Sequence, residues 1–248
     1  MEYKNYSPDV WEQIDRALDF VLQQESQPIA AFDADGTLWD IDLGETYFHY
    51  LIDHKLVPLP PEPWEHYQTM KADPAGPQKA YLWLAQILKD VPLSTALEWS
   101  KKAVHEINLP YFPEQKKLIE HLVSKGVSIY IVTASVKWAV DPGAELLGLS
   151  AASVIGVETE VKDGIITDIQ KGQITYRSGK AEALKKATGG KAPFLSSGNT
   201  MGDWHLLEAA SHIRLAVSAS TPDDKLFRTE QELQRNAQNK GWISHRFV

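Results

Sequence analysis

The stretch PIAAFDADGTLWDIDLGE, Pro28 to Glu45, decides how the rest of the chain is read. Ile29–Phe32 is a short all-apolar run behind a proline, the pattern of a strand buried on both faces. Carboxylates then gather where that strand should end. Residues i and i+2 of a strand share a side, so Asp33 and Asp35, straddling the end, could reach one small volume. In open α/β sheets ligands bind in that place, beyond the carboxyl ends of the strands. Two bare carboxylates so close repel, and one would take up a proton. A hard divalent cation removes the conflict, and Mg²⁺ accepts one or two carboxylates along with waters and phosphate oxygens. One aspartate could then attack phosphorus as a nucleophile, and the other could shuttle the proton as general acid and base. Asp and Gly are also common turn residues, so D-x-D-G alone reads first as a turn or a capping pair.

Working outward, DVWEQIDRALDFVLQ after Ser7-Pro8 reads as a capped amphipathic helix with Val10, Ile14, Ala17, Leu18 and Val21 on one face. From Leu43 to Pro110 the pattern is helical and interrupted by prolines, with no strand in it. Helices and strands alternate after that. EQKKLIEHLVSKG is a helix, Val127–Thr133 a strand, WAVDPGAELLG a helix and SVIGVE a strand. A hairpin is expected at Asp163-Gly164. SGKAEALKKATGG is a helix capped by Ser178, PFLSSG a strand, GDWHLLEAA a helix, HIRLAVSA a strand and PDDKLFRTEQELQRNAQ a closing helix. This alternation predicts an α/β fold with a Rossmann-like, mostly parallel sheet and helices on both faces. The domains expected are a core of residues 1–42 and 111–248 and a helical insert of 43–110.

The chain has 248 residues, 43% hydrophobic and 23% charged, with a formal charge of −8. That balance argues against nucleic acid or an anionic membrane as partner, since both want a basic footprint. There are no cysteines, which excludes disulfides, thiolate catalysis and zinc–thiolate sites. Neither a secretory signal nor an apolar run of about 18 residues is visible. The expectation is a cytoplasmic protein, monomer or homodimer.

Three later positions carry suitable groups. Thr133 ends a strand, where its hydroxyl and the amides beside it, at Ala134 and Ser135, can donate to phosphate oxygens. Lys180 stands in the first turn of a helix, a place the helix dipole disfavours unless the cation faces an anion. Asn199 and Asp203 follow an apolar strand in a glycine-rich turn, oxygen donors of the kind Mg²⁺ takes. Each has a plainer reading: a strand-end threonine, a surface lysine, a helix cap. Together, in order and each beside a strand end or a helix start, they point to one site.

DADGT (Asp33–Thr37), Thr133, Lys180 and GNTMGD (Gly198–Asp203) resemble the four motifs of the haloacid dehalogenase superfamily, and the resemblance covers nearly the whole chain. It implies that Asp33 is the nucleophile, Asp35 the general acid and base, and Thr133 and Lys180 the holders of the phosphoryl group. Mg²⁺ would sit among Asp33, the Asp35 carbonyl, Asn199 and Asp203. The insert resembles the family's cap, which closes over substrate. Within the superfamily the chain looks closest to the phosphoserine phosphatase-like branch. WDIDLGE is similar to the segment after the nucleophile in phosphorylcholine phosphatases, where the residue at Glu45 faces the substrate's cationic group. The usual fourth motif begins Gly-Asp; here Asn199 replaces the aspartate, so the ligand loses its charge and metal affinity should fall.

The expected activity is a Mg²⁺-dependent phosphomonoesterase acting on a small phosphate ester, amine-bearing in one version. Trp39, Asp42 and Glu45 would line the mouth, since aromatic faces and carboxylates suit an ammonium. Against that, Trp83 and Trp99 fall on apolar helix faces and read as cap core, and His49, His54, His66 and His105 read as surface or core residues. The alternatives are a degenerate phospholigand binder with little turnover, or carbon–halogen hydrolysis by the same nucleophile.

Overall fold

In the computed structural model, which describes residues 3–248, Ile29–Phe32 forms strand β1 and is buried along its whole length. It pairs in parallel with β2 (Ser128–Val136) on one side and β5 (Leu195–Gly198) on the other. The remaining strands are β3 (Val154–Lys162), β4 (Ile165–Lys171), β6 (Ile213–Ser218) and β7 (Ile243–Arg246), and the order is β4-β3-β2-β1-β5-β6-β7. β5, β6 and β7 pair in parallel, and β3 and β4 form an antiparallel hairpin. The mostly parallel α/β sheet expected from the sequence is therefore present.

Contacts divide the chain into two compact units, one of Met1–Asp40, Pro110–Val132 and Arg177–Val248, the other of Ile41–Leu109 and Thr133–Tyr176. In the first unit, the chain leaves β1 for β2 on one side and later returns to β5 on the other. That reversal beside β1 makes the β1/β5 edge a topological switch point, where α/β sheets open a crevice beyond their strand ends. Helices α1 (Pro8–Leu22), α6 (Pro113–Ser124), α8 (Ser178–Ala187), α9 (Trp204–Glu208) and α10 (Phe227–Asn239) belong to this unit. On α1, Val10, Ile14, Leu18 and Val21 are buried, as their spacing predicts.

The second unit holds α2 (Leu43–Asp53), α3 (Pro63–Lys71), α4 (Gln78–Gln86), α5 (Leu93–Glu106), α7 (Lys137–Leu146) and the β3–β4 hairpin. Its core gathers Tyr47, Phe48, Leu51, Tyr67, Leu84 and Trp138, with Trp64, Trp83 and Trp99 packed against them. Trp83 and Trp99 thus pack against this core, partly buried. The hairpin turns at Asp163 and Gly164, whose φ of 51° and 79° fit a primed turn.

Several boundaries differ from the sequence reading. Ser178 is the first residue of α8 rather than its cap; Arg177 stands at the cap with φ 52°. β2 continues past Thr133 to Val136. GDWHLLEAA opens with a 3-10 turn, Met201–Asp203, before α9, and the closing helix starts at Phe227. β7 was not foreseen, because ISHR carries one apolar residue and sits half-buried at the sheet edge. Among the described residues, no helix is long and apolar enough to cross a membrane.

Candidate active site

Asp33 follows β1 directly, and its N–H continues the ladder by donating to the Ser197 carbonyl at 2.9 Å. The chain then folds into a tight turn. Thr37 N–H and Leu38 N–H both donate to the Ala34 carbonyl, and Gly36 N–H donates to Trp39. The turn swings the Thr37 hydroxyl back onto Asp33 Oδ2 at 2.9 Å. Lys180, from the first turn of α8, places Nζ 2.5 Å from Asp33 Oδ1 and 2.6 Å from Asp203 Oδ1. All three groups are buried, with residue exposures of 5% for Asp33, 3% for Lys180 and 1% for Asp203. A lysine at this helix end is tolerable because two carboxylates meet it.

Burial, and then the charge of Asp203, push the Asp33 carboxyl up to about 6, while Lys180 and the Thr37 hydroxyl pull the other way. Burial alone would lower Lys180, but the charges of Asp203 and Asp33 outweigh it and hold the ammonium above the usual lysine value.

Asp203 is engaged on both oxygens. Oδ1 takes Lys180, while Oδ2 accepts from the Asn199 N–H, the Thr200 N–H and the Thr200 hydroxyl. Three donors crowd Oδ2, while Oδ1 takes one. Asp203 therefore ties the 199–203 turn and holds Lys180. Asn199 has its oxygen 3.3 Å from the Thr37 hydroxyl and its Nδ2 3.0 Å from Glu230 Oε1.

Gly36 is required twice over. Its φ is +75°, and a Cβ there would lie 2.1 Å from Asn199 Nδ2. Gly126 shares a positive φ, +80°, but a Cβ there meets nothing within 4 Å. Both alanine variants should bear the left-handed backbone penalty, roughly 1–3 kcal/mol. Gly36→Ala should lower the thermal midpoint clearly further than Gly126→Ala, because only it displaces the Asn199 amide. Equal midpoints by differential scanning fluorimetry would show that the approach is not tight.

Asp35 is half-buried, and its Oδ1 accepts the Trp39 indole N–H at 2.8 Å. Trp39 itself has 0% exposure and packs edge-on against Tyr111. It steers Asp35 and offers no open face, in contrast to the mouth position expected from the sequence.

The other expected residues lie in the second unit. Thr133 is buried; its hydroxyl accepts from the Ser135 N–H at 3.0 Å and its carbonyl from the Thr175 hydroxyl at 2.5 Å. Ala134 and Ser135 are half-buried. A Cβ on Gly44 would lie 2.7 Å from the Ser135 hydroxyl, so the first turn of α2 runs against that strand end. Asp42 caps α2 by accepting the Glu45 N–H at 2.8 Å, the role its residue type favours at such a position. Glu45 is buried and paired with Lys71 at 2.5 Å. The Lys71 ammonium lies 5.4 Å and 5.9 Å from the ring centres of Tyr67 and Tyr81.

A buried Asp–Lys–Asp cluster at a strand end, next to a D-x-D-G-T turn, points to one family, and residues 30–208 match the model of the haloacid dehalogenase-like hydrolases. The chain belongs to that family. Two solved proteins of unknown function share the fold of this hydrolase. The one from Bordetella pertussis Tohama I is 19% identical, with a TM-score of 0.68, covering 88% of this chain and 97% of its own. The one from Anaerococcus prevotii DSM 20548 is 14% identical, with a TM-score of 0.69, covering 96% of this chain and 94% of its own. A substrate-bound phosphoserine phosphatase is 18% identical over 78% of this chain and 87% of its own, with a TM-score of 0.51. Among curated proteins nothing matches.

Three residues of this hydrolase's cluster escaped the sequence reading. Thr37 and Gly36 lay inside the quoted motif without an assigned role. Glu230 lay outside every motif; its only sign is a carboxylate on the buried stripe of α10, with Leu233, Gln234 and Ala237.

Proposed function

We propose that this chain is a Mg²⁺-dependent phosphomonoesterase working through an aspartyl-phosphate on Asp33. One observation carries the reading: a buried carboxylate at the end of a central strand has one oxygen held by Lys180 and the other by Thr37. Such a carboxylate is aimed before substrate arrives, so little reorganisation is needed at the moment of attack.

In the first step an Asp33 oxygen bonds to phosphorus, the ester P–O bond breaks, and Asp35 gives a proton to the departing alkoxide. In the second, water attacks the same phosphorus, Asp35 takes its proton, and the Asp33–phosphorus bond breaks to release phosphate. Trp39 orients Asp35 for both transfers. Lys180 offsets the charge on Asp33, and Asp203 keeps Lys180 in place. Thr133 with the amides of Ala134 and Ser135 would hold phosphoryl oxygens, and residues 43–110 would serve as a cap on a core of 1–42 and 111–248.

The donor set suits Mg²⁺. Among the described residues, no group of three or more His, Cys, Asp or Glu gathers as a metal cluster. An ion held by the Asp33 carboxylate, the Asn199 oxygen and the Asp35 carbonyl would keep several waters, as Mg²⁺ does. When bound, it supplies charge stabilisation to the phosphoryl oxygens.

The substrate is a small phosphate ester. An amine-bearing ester would owe its selection to Glu45, yet Glu45 and the two tyrosines already surround the ammonium of Lys71. A cationic substrate has to compete with that lysine. A panel of phosphocholine, phosphoethanolamine, phosphoserine and glycerol phosphate, with Mg²⁺ or with EDTA, tests the reading. Phosphate release is expected with Mg²⁺ and should vanish in EDTA. Halide release from haloacids that survives EDTA would replace this reading with dehalogenation. Ligand-dependent thermal stabilisation with no turnover would replace it with a binding role.

A further inference from the structure

An amide side chain beside a cation site can present either its oxygen or its NH₂ group, and only a neighbour of fixed polarity decides. At Asn199 that neighbour is Glu230, from α10, which is 1% exposed. Glu230 Oε2 accepts from the Ala219 and Ser220 N–H groups at 3.1 and 2.9 Å, and Oε1 accepts from Asn199 Nδ2 at 3.0 Å. With Oε1 meeting the NH₂ of Asn199, the amide oxygen lies on the other side, toward the Thr37 hydroxyl at 3.3 Å. Gly36 closes the remaining side.

We propose that Glu230 is a positioning residue that acts through Asn199. It turns the amide oxygen toward Thr37, whose hydroxyl also meets Asp33, and stands one hydrogen bond back in the place of the carboxylate that an aspartate at 199 would have supplied. Residues 199 and 230 then work as a unit, and an aspartate at 199 is incompatible with Glu230 because two buried carboxylates would face each other. The metal half of this inference rests on the reading of Asn199 as a Mg²⁺ ligand.

The unit makes a sharp prediction for a double-mutant cycle. In Glu230→Gln, the glutamine oxygen should keep the backbone N–H groups of 219 and 220 while its NH₂ turns to Asn199. Asn199 flips in answer, and its own NH₂ then faces the cation position. Mg²⁺ affinity should fall about 10- to 100-fold, the usual scale for losing such an outer partner, with little change in the thermal midpoint of the metal-free protein. Asn199→Asp alone should lower that midpoint. The double variant Asn199→Asp/Glu230→Gln restores complementarity, because the glutamine NH₂ now donates to the aspartate. It should recover both the midpoint and Mg²⁺ affinity, the latter to at least the wild-type value.

Isothermal titration with Mg²⁺ and scanning calorimetry of the full chain read the two effects separately. Glu230→Gln binding Mg²⁺ as wild type does, or a double variant no better than either single one, overturns the proposal. Wild-type protein that binds no Mg²⁺ overturns the metal reading and the metal half of this inference. The stability cycle still decides in that case whether 199 and 230 are coupled.

Discussion

Replacing Asp33 with asparagine is expected to cut phosphate release by at least about 10⁴-fold, the scale seen when a nucleophile is removed from an otherwise complete site. The amide is nearly the same size as the carboxylate, and its oxygen can still meet Lys180 or the Thr37 hydroxyl. It has no anionic oxygen with which to form a bond to phosphorus. The fold should not suffer. Lys180 remains paired with Asp203 at 2.6 Å, and the buried cluster goes from two carboxylates and one ammonium to a balanced pair. The metal-free thermal midpoint should hold or rise. Release retained above about 1% of wild type, under assay conditions that detect a 10⁴-fold loss, would mean that Asp33 is not the nucleophile. A collapsed midpoint would mean that its main duty is structural.

What the sequence exposed and what it hid follow from distance along the chain. β1 was legible because four apolar residues between a proline and an aspartate can do little else than cross the middle of a sheet. Lys180 was legible because it sits where a helix dipole repels it, an anomaly that demands an anion. The contact with Asp33 spans 147 positions, yet each partner carried its own local sign. Glu230 carried none that reads as chemistry. It lies 31 positions from Asn199, on a helix whose many amides and arginines hide one of its two acids. Only the buried stripe it shares with Leu233 and Ala237 sets it apart.

Trp39 and Glu45 have partners that the sequence did not show, for a different reason. Aromatic and acidic residues crowded after a catalytic motif look like a ligand's walls. Each was instead satisfied within the chain, Trp39 by an aspartate four residues back and Glu45 by a lysine 26 residues on. Residue types announce which partners they can take, but not whether the chain itself has already supplied one.

The second large effect concerns Lys180. Lys180→Met keeps the length of the side chain and removes its charge, leaving Asp33 and Asp203 buried together without a cation. Breaking a buried ion pair by deleting one partner costs roughly 3–5 kcal/mol. For a chain of this size that is a midpoint lower by roughly 6–20 °C. The loss should depend on pH. With Lys180 present the Asp33 carboxyl is already pushed up to about 6; without it the carboxyl must climb further. A carboxyl whose folded pKa exceeds its unfolded one holds more protons in the native state, so stability falls as pH rises through that window. The gap between Lys180→Met and wild type should be smaller at about pH 5, where Asp33 is mostly protonated and the loss is mainly that of the Asp203 pair, and larger at about pH 8. Adding Asp203→Asn to the variant should recover much of the deficit at the higher pH by removing one of the facing charges. Thermal midpoints of the three proteins at the two pH values make the test. A gap that does not change with pH would mean that the charge on Asp33 is not what Lys180 offsets, and the Asp33–Lys180–Asp203 cluster would lose its place at the centre of the site.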